Sequence, residues 1–390
     1  MRKTRSFLVG GVPMGGGAPV SVQSMTNTDS RNASATLQQI SALAAAGCDI
    51  VRLSIYDEAC LAALPAIVAG SPVPLVADIH YRADLAVGAM ECGIAKVRIN
   101  PGNIGSEQGV HRVADCAKMH HVPIRIGVNS GSIERDILAR DGGVTARGMV
   151  DSALTHAKLL ESVGFHDIAL SLKASSVPLT VAAYELAAKE TDYPLHVGVT
   201  EAGLPGAGNI KSAVGIGALL LQGIGDTIRV SLTGSPIPEV QAAIDILRAV
   251  GLRSGFVNVI SCPTCGRTGI DVAAIAARVE RELADIRVPL TVAVMGCVVN
   301  APARHARRIS ALQAAGSAPP PQQAARAVPT LWALFLKRAS RPKRSRVTWQ
   351  ACSFPAQEHW QIAKEHMHEQ NRASSHARRN RPPPQGQASH

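Results

Sequence analysis

The segments DIVRLSIYD at residues 49–57 and PLVADIHY at residues 74–81 are two short apolar runs separated by an Ala- and Leu-rich stretch. Each run has the length and the branched aliphatic content of a buried strand, whereas the stretch between them has the composition of a helix. A strand, a helix and a second strand in this order form the basic parallel unit of α/β folds. The two segments therefore predict a parallel sheet with helices packed against it.

The same alternation of strand and helix continues on both sides of these segments. The remaining candidate strands are VSVQSMTN (20–27), AKVRINPGN (95–103), PIRIGVNSGS (123–132), DIALSLKAS (167–175), PLHVGVTEAG (194–203) and DTIRVSLTGS (226–235). Eight strand–helix units in about 230 residues predict a (β/α)8 TIM barrel. An open doubly wound sheet is the alternative, but the even spacing of eight units favours closure.

The composition of the chain is that of a globular α/β protein. It has 390 residues, of which 46% are hydrophobic and only 3% aromatic, so the core is expected to consist of Val, Ile, Leu and Ala. No apolar run approaches the roughly 18 residues that cross a bilayer, and the apolar start is interrupted by glycine too early for a secretory signal. We therefore expect a cytoplasmic protein without a membrane partner.

The net charge of +11 is concentrated in the last ninety residues. Residues 301–390 contain 15 Lys and Arg against three Glu, together with all three Trp and 10 of the 24 Pro, whereas residues 1–300 contain 25 basic and 26 acidic residues. A nucleic-acid or membrane-surface binder acting through this basic tail is one alternative function. The basic and aromatic residues show no regular spacing, which is not typical of a nucleic-acid-binding segment. We therefore expect no nucleic-acid partner.

Polar side chains occur where the predicted strands end, and they are rich in cations. They are Arg52, Ser54, Asp78, His80, Arg98, Asn100, Arg125, Asn129, Lys173, Glu201, Arg229 and Ser231, with Lys211 in the helix after the seventh strand. The carboxyl ends of barrel strands converge on one rim, where the active sites of this fold lie. Several cations on one rim repel each other unless an anion lies among them, and arginine matches phosphate geometry. The pattern predicts a phosphate or diphosphate substrate.

A second unit follows the barrel and contains three cysteines at predicted strand ends. FVNVISCPTCGRTG is a strand leading to Cys262 and Cys265, VAAIAARVERELADI is an amphipathic helix, and VPLTVAVMGCVVN is a strand that ends at Cys297. A Cys-x-x-Cys pair alone is compatible with a redox dithiol, half of a zinc site or iron–sulfur ligands. Three thiolates without a nearby fourth Cys or His favour an iron–sulfur cluster.

The motifs VQSMTNT, VADIHY, VRINPGN, PIRIGVNSGS, GVTEAG, IRVSLT, SCPTCGRT and MGCVVN, in this order, resemble the bacterial 4-hydroxy-3-methylbut-2-enyl diphosphate synthase family. The resemblance covers residues 1 to about 300. It implies a TIM barrel followed by a small α+β domain with a [4Fe–4S] cluster, and reductive ring opening of 2-C-methyl-D-erythritol 2,4-cyclodiphosphate in the non-mevalonate isoprenoid pathway. It also implies flavodoxin or ferredoxin as electron donor. The family forms a homodimer in which the barrel of one subunit faces the cluster domain of the other.

The resemblance also implies roles for individual residues. Cys262, Cys265 and Cys297 would hold the cluster, Glu201 would deliver a proton to the departing hydroxyl, and Asn300 would lie beside the cluster. The implied substrate-binding residues are Arg52, Asp78, His80, Arg98, Asn100, Arg125, Asn129, Lys173, Lys211, Arg229 and Ser231. We therefore expect a barrel over residues 1–252, a partial cluster domain over 253–300 and an aberrant, disordered tail over 301–390.

The chain departs from the family pattern after Asn300. Family members continue from CVVN with GPGE, whose glutamate is the fourth cluster ligand, whereas this chain reads CVVN-APAR and has Arg304 at that position. A guanidinium cannot ligate iron. Reading APARHARRISALQAAG with one G restored gives codons compatible with GPGEACKADIGLAGSG, so we hypothesise a reading-frame slip at Asn300. We expect a labile cluster or none, with little or no turnover, as the consequence. A catalytically inactive barrel that still binds a diphosphate is a second hypothesis.

Overall fold

The computed structural model describes residues 2–99, 107–268, 271–284, 286 and 290–296. The chain divides between Arg253 and Ser254 into two compact units, which are described separately. No helix in the described part of the chain is long and apolar enough to cross a membrane.

The first unit begins with a hairpin that sequence reasoning missed. Strands β1 (Ser6–Val9) and β2 (Val12–Gly15) pair antiparallel, and Gly10 between them has a φ of +58°. Val9 and Met14 are fully buried against Ile50 and other residues near the starts of barrel strands. The hairpin therefore covers the amino-terminal end of the barrel and leaves the opposite end for the site.

Eight parallel strands follow and confirm the predicted barrel. They are β3 (Ser21–Met25), β4 (Ile50–Ser54), β5 (Leu75–Asp78), β6 (Lys96–Ile99), β7 (Ile124–Asn129), β8 (Ile168–Lys173), β9 (His196–Val197) and β10 (Thr227–Ile228). Their order in the sheet is β8-β7-β6-β5-β4-β3-β10-β9, and a parallel bridge between Leu170 and Leu195 joins the two ends. The sheet is thus closed, and each predicted strand segment contains one of these strands.

Helices alternate with the strands and form the outer layer. They are α1 (Ala33–Ala45), α2 (Glu58–Gly70), α3 (Ala83–Glu91), α4 (Glu107–His120), α5 (Arg135–Asp141), α6 (Ala146–Ser162), α7 (Val177–Glu190), α8 (Ala207–Leu221) and α9 (Ile237–Ala249). Several of them begin at a side-chain cap. Asn32 accepts from the Ala35 amide at 3.0 Å, and Asp57 accepts from the Cys60 amide at 2.8 Å. Such caps satisfy amides that have no partner within the helix and thereby fix where the helix begins.

The register of the central strands brings charged residues side by side. Asp78 on β5 lies opposite Arg98 on β6, and Arg98 lies opposite Arg125 on β7. All residues of β5, β6 and β8 are buried, because the barrel interior covers one face of each strand and the helices cover the other. These charges are therefore held inside the protein and not at its surface.

The second unit contains the strand–helix–strand pattern that the sequence predicts. Strand β11 (Val257–Ser261) pairs in parallel with β12 (Leu290–Val294), and α10 (Val272–Leu283) connects them. Asp271 caps α10 by accepting from the Ala274 amide at 3.0 Å. A small apolar core forms where α10 packs on the two strands. This arrangement places Cys262 directly after the end of β11.

Candidate functional site

Arg98, near the end of β6, is fixed by groups on the two neighbouring strands and the loop after β5. Its Nη1 donates to Asp78 Oδ1 at 3.1 Å, and its Nη2 donates to the Gly127 carbonyl at 3.2 Å. Nη1 also lies 2.9 Å from His80 Nε2. The guanidinium is therefore oriented before any ligand binds, which reduces the entropy that binding costs.

Arg52 on β4 approaches the same carboxylate from another strand. Its Nε lies 3.8 Å from Asp78 Oδ2, and its Nη2 donates to the Met25 sulfur at 2.9 Å. Burial lowers the pKa of Arg52 to about 10, although the Asp78 charge acts in the opposite direction. Burial by itself would raise the pKa of Asp78, but the two arginines and the His80 ring outweigh burial and hold this pKa well below its usual range. Asp78 is thus a permanent anion that anchors two cations.

Arg125 on β7 and Lys173 on β8 are buried cations that have no carboxylate partner among the described residues. Arg125 is 1% exposed, and its Nε and Nη2 form no hydrogen bond with any described group. Burial lowers the pKa of both side chains, and repulsion by neighbouring cations lowers it further. An unpaired buried cation is costly, so an anion bound here would gain from supplying the missing partner.

Arg229, directly after β10, faces a carboxylate that sequence reasoning did not predict. Its Nη2 lies 3.6 Å from Oε2 of Glu239, which is in the first turn of α9. Glu239 also accepts from the Leu232 amide at 2.9 Å and from the Ser24 hydroxyl at 3.2 Å. Glu239 therefore fixes the loop that carries Ser231 and compensates part of the charge of Arg229.

The barrel interior has an excess of positive charge. Among the described residues its cations are Arg52, Arg98, Arg125, Lys173 and Arg229, and the two facing carboxylates are Asp78 and Glu239. Five cations against two anions in a medium of low dielectric repel each other strongly. A ligand with two or more negative charges relieves this repulsion. The arrangement is chemically suited to a diphosphate.

Two glycines on the inner face of the barrel make room for this cation cluster. A Cβ atom at Gly127 would lie 2.4 Å from Arg98 Nε, and a Cβ atom at Gly198 would lie 2.7 Å from Lys173 Nζ. Any side chain at either position would displace the cation next to it. Glycine, which has no side chain, therefore leaves the space that Arg98 and Lys173 occupy.

Several predicted residues lie around this cluster at the carboxyl end of the barrel. Glu201 is exposed and has a φ of +52°, a conformation that a non-glycine residue rarely adopts. Asn129 is the last residue of β7, and its backbone N–H donates to Ser132 Oγ at 3.2 Å. Lys211 is half-buried in the first turns of α8. These residues border the cluster and are less buried than its core.

Some predicted residues lie outside the described part of the chain, and some buried residues were missed. Asn100, Cys297 and Asn300 belong to the first group, as does Arg304. Lys96 and His196 belong to the second, since both are fully buried in barrel strands. Alternation within the strand could have identified Lys96, which lies two residues before Arg98 and therefore on the same face.

Two thiols of the second unit are described, and their surroundings suit ligation by a soft metal. Cys262 is buried and its sulfur accepts from the Gly296 amide at 3.1 Å, whereas Cys265 is exposed. The Arg267 amide, with help from Thr268, lowers the pKa of Cys265. A stabilised thiolate is the ligand form of cysteine. No group of three metal-ligating side chains is found within the described residues, and Cys297 follows Gly296 in the sequence.

The barrel cysteines differ from these two thiols. Cys48, Cys60 and Cys116 are buried, and burial raises the pKa of Cys48 to about 12. A thiol in such surroundings is unreactive and packs as a small apolar side chain. The difference separates structural cysteines in the first unit from candidate ligands in the second.

Family models match both units of the chain. The GcpE TIM-barrel domain matches residues 4–244, and the GcpE protein C-terminal domain matches residues 258–316. The first match includes the whole cation cluster, and the second includes all three candidate cysteine ligands.

Curated relatives match the chain at high identity. A protein of Geobacter sulfurreducens is 56% identical over 300 residues, which are 77% of this chain and 85% of the relative. A protein of Caldanaerobacter subterraneus is 54% identical over 303 residues, with the same two coverages. Both are named 4-hydroxy-3-methylbut-2-en-1-yl diphosphate synthase (flavodoxin). Among solved structures, the truncated 3-deoxy-D-arabino-heptulosonate 7-phosphate synthase of Thermotoga maritima is similar at 12% identity and a TM-score of 0.48, covering 64% of this chain and 94% of that one.

Proposed function

Since the chain belongs to the GcpE family, we propose that it catalyses the reductive ring opening of 2-C-methyl-D-erythritol 2,4-cyclodiphosphate to 4-hydroxy-3-methylbut-2-enyl diphosphate. The observation that carries this proposal is the cluster of five cations facing two carboxylates in the described part of the barrel. Its excess charge matches a substrate with two phosphate groups. Both the substrate and the product carry this diphosphate, so the same cluster serves both.

The cations would divide the task of binding the diphosphate. Arg98 and Arg52 are oriented by Asp78 and provide donors of fixed direction. Arg125 and Lys173 lack such a partner among the described residues and would gain the most from the phosphate oxygens. Charge-assisted hydrogen bonds of this kind are about twice as strong as neutral ones. Asn129 and Ser231 would complete the contacts at the edge of the site.

Glu201 is proposed as the proton donor of the reaction. The conversion consumes two electrons and a proton, the ring opens at a carbon–oxygen bond and one hydroxyl leaves as water. A hydroxyl is a poor leaving group unless it receives a proton in the transition state. Glu201 is exposed four residues after the end of β9, and its φ of +52° is a conformation that a non-glycine residue rarely adopts. Asn300 is the proposed neighbour of this step.

Cys262, Cys265 and Cys297 would hold the cofactor, which we propose is a [4Fe–4S] cluster. The amide bond to the Cys262 sulfur and the lowered pKa of Cys265 support thiolate ligation by the two described cysteines. When bound, the cluster supplies the two electrons one at a time. The relatives are named as flavodoxin enzymes, and we propose flavodoxin or ferredoxin as the electron donor. A reducing compartment, the cytoplasm, is consistent with the free cysteines among the described residues.

A homodimer is part of the proposal, and one helix face supports it. Ile210, Val214 and Leu221 on α8 are 69%, 56% and 74% exposed, and Leu204 just before the helix is 67% exposed. Large apolar side chains grouped on one helix are typical of an interaction surface. A second copy of the chain is the proposed partner. Replacing Ile210 and Val214 by Glu is expected to convert the dimer into a monomer, as measured by light scattering. Leu8→Glu, at an exposed apolar residue outside α8, is the control and should leave the dimer intact.

We retain the proposal of a reading-frame slip at Asn300 for the tail. The two relatives described above match 300 and 303 residues of this chain, and its remaining residues have a different composition. Sequencing the gene across codon 300 tests the slip. A frame that encodes GPGE after Asn300 is expected, and DNA without such a frame excludes the slip.

The proposed function is tested with full-length protein reconstituted anaerobically with iron and sulfide. Turnover of the cyclodiphosphate with reduced flavodoxin, or with a one-electron dye, is expected. The second hypothesis, a barrel that binds without turnover, has no support from the comparisons. Calorimetry alongside the turnover assay distinguishes the two hypotheses, because binding of the cyclodiphosphate without formation of product would favour the inactive barrel. Absence of any cyclodiphosphate binding would contradict the proposed function.

A further inference from the structure

Lys96 lies in the barrel one layer deeper than the proposed diphosphate site. It is two residues before Arg98 in β6, so both side chains are on the same face of the strand. It is fully buried, and its Nζ forms no hydrogen bond with any described group. His196 on β9 is also fully buried, and neither of its ring nitrogens has a partner among the described residues. The layer therefore contains polar groups that the cation cluster above does not use.

The charged and titratable groups facing this layer come from six strands, from two helices and from the two residues that flank β10. They are Arg52 on β4, Asp78 on β5, Arg98 on β6, Arg125 on β7, Lys173 on β8, His196 on β9, Arg229 after β10, Tyr184 on α7, Glu239 on α9 and Asp226 before β10. Strand β3 and the amino-terminal hairpin contribute no titratable side chain. The carboxylates are engaged elsewhere. Asp78 bonds Arg98, Glu239 bonds the Leu232 amide, and Asp226 bonds Thr4 and the Leu195 amide.

An ammonium group at Lys96 would therefore be buried among cations. Burial lowers the pKa of Lys96 far below its ordinary value, and the charges of Arg125 and Arg52 lower it further. An unpaired charge in such a place costs more than the loss of its proton. A bound diphosphate reverses this balance, because two negative charges in the layer above attract a proton where the cations repelled it.

We propose that Lys96 is neutral in the free protein and gains a proton when the cyclodiphosphate binds, so that binding consumes a proton from solution. The amine becomes an ammonium, no other bond forms or breaks, and the proton comes from the buffer. The inference rests on the proposed function, because it takes the cyclodiphosphate as the ligand. The Lys96 ammonium adds a positive charge in the layer beneath the cations that contact the diphosphate. It thereby helps to neutralise the charge of the substrate without contacting it.

The test is calorimetry of the cyclodiphosphate with the full chain in two buffers of different ionisation enthalpy at one pH. Each phosphorus of this ligand has one ester bond and one anhydride bond and keeps a single, strongly acidic group, so the ligand itself has no group that titrates near neutral pH. The wild type is expected to take up about one proton, and its affinity is expected to fall about tenfold for each unit by which the pH rises in this range. Lys96→Met should bind without proton uptake. Lys158→Met, at an exposed lysine of α6, should retain it.

Each outcome decides between the inference and the proposed function. Uptake in the wild type that disappears in Lys96→Met supports the inference. Binding without uptake overturns it but leaves the proposed function intact, and so does equal uptake in both proteins, which would indicate another group such as His196. No binding at all contradicts the proposed function together with the inference. If Lys96→Met does not fold, Lys96→Gln takes its place, because uptake in the wild type alone does not separate Lys96 from His196.

Discussion

The two units of the protein hold their functional side chains in opposite ways. The barrel buries its charges, so Arg125 and Lys173 are almost inaccessible and the strands β5, β6 and β8 have no exposed position. In the second unit β11 has no fully buried position, and Cys265 is exposed. The barrel thus stores unfavourable charge that a substrate relieves, whereas the second unit presents thiols that a metal would join.

This difference indicates which property each unit controls. Burial makes the barrel cations rigid and poorly solvated, which favours tight binding of an anion. The small core of the second unit gives less stability of its own, so metal binding is expected to contribute to its folding. Changes in the barrel should therefore alter substrate affinity, and changes at the thiols should alter iron content and turnover.

Replacement of Cys265 by Ser gives the strongest test of this separation. The variant is expected to lose its iron, and its turnover should fall more than about 100-fold. Even the groups that only hold metal ligands in place change metal affinity or activity about 10- to 100-fold when they are replaced. Calorimetric affinity for the cyclodiphosphate should stay within about twofold of the wild type, since Cys265 belongs to the other unit. Iron analysis, visible absorbance and calorimetry provide the measurements.

Cys92→Ser is the matched control for this variant. Cys92 is a half-buried thiol of the barrel, and its replacement should leave iron content unchanged. If Cys265→Ser retains a full complement of iron, the exposed thiol is not a ligand and the contrast between the units fails.

Asp78→Asn addresses the charge balance in the barrel. Arg52 and Arg98 would lose the carboxylate between them, and removal of one partner from a buried ion pair costs about 3 kcal/mol of unfolding free energy. The pKa of Asp78 is lower in the folded protein than in the unfolded chain. Its stabilisation is therefore fully present above the unfolded value of about 4 and is lost as the pH falls below it.

Unfolding measured from acid to neutral pH tests this prediction. The stability difference between wild type and Asp78→Asn should be constant above about pH 4 and should shrink in more acidic solution. Asp115→Asn, at an exposed carboxylate facing Lys118, should change stability by less than about 0.5 kcal/mol. A difference that does not depend on pH would show that Asp78 acts through packing and not through its charge.

Arg125→Met is expected to have opposite effects on stability and on binding. The variant loses a buried cation with two unpaired nitrogens, so the free protein should become more stable. Affinity for the cyclodiphosphate should fall about 30-fold, because a hydrogen bond to a charged group contributes about 2 kcal/mol. Thermal unfolding and calorimetry on the same sample measure both effects.

Arg147→Met provides the comparison for this variant, since Arg147 bonds Asp151 and Glu190 at the protein surface. It should lower stability slightly and leave affinity unchanged. A less stable Arg125→Met protein would mean that the free site already contains a counter-ion.

The sequence predicted most of the barrel because the strand and helix patterns alternate without interruption. It also predicted Arg98 and Arg125 as neighbours at the site, since the ends of parallel strands converge. It overlooked Lys96, although alternation groups Lys96 with Arg98 on one face of β6. Both faces of a barrel strand are buried, so alternation groups residues by face but does not reveal which face is inside.

Other features depend on contacts between distant segments. Glu239 belongs to a helix, and no local pattern indicates that its carboxylate approaches Arg229. The need for glycine at position 127 follows from the path of Arg98 across the neighbouring strand. The hairpin differs from these, because the Gly10–Gly11 pair between apolar residues is a recognisable turn signal. The hairpin could therefore have been predicted from the sequence.

Gly127→Ala is the mildest change and examines how accurately the barrel must position one cation. The new Cβ would lie 2.4 Å from Arg98 Nε, a distance at which one of the two groups must move. Arg98 cannot move freely, since its guanidinium bonds both Asp78 and the Gly127 carbonyl. We expect it to lose one of these bonds and the affinity for the cyclodiphosphate to fall about tenfold, which corresponds to about 1.4 kcal/mol. Gly131→Ala is the matched control, because a Cβ atom there meets nothing within 4 Å and affinity should not change. Equal affinity of the two variants would show that the diphosphate tolerates a displaced Arg98, so that burial and not orientation gives the barrel its strength as an anion site.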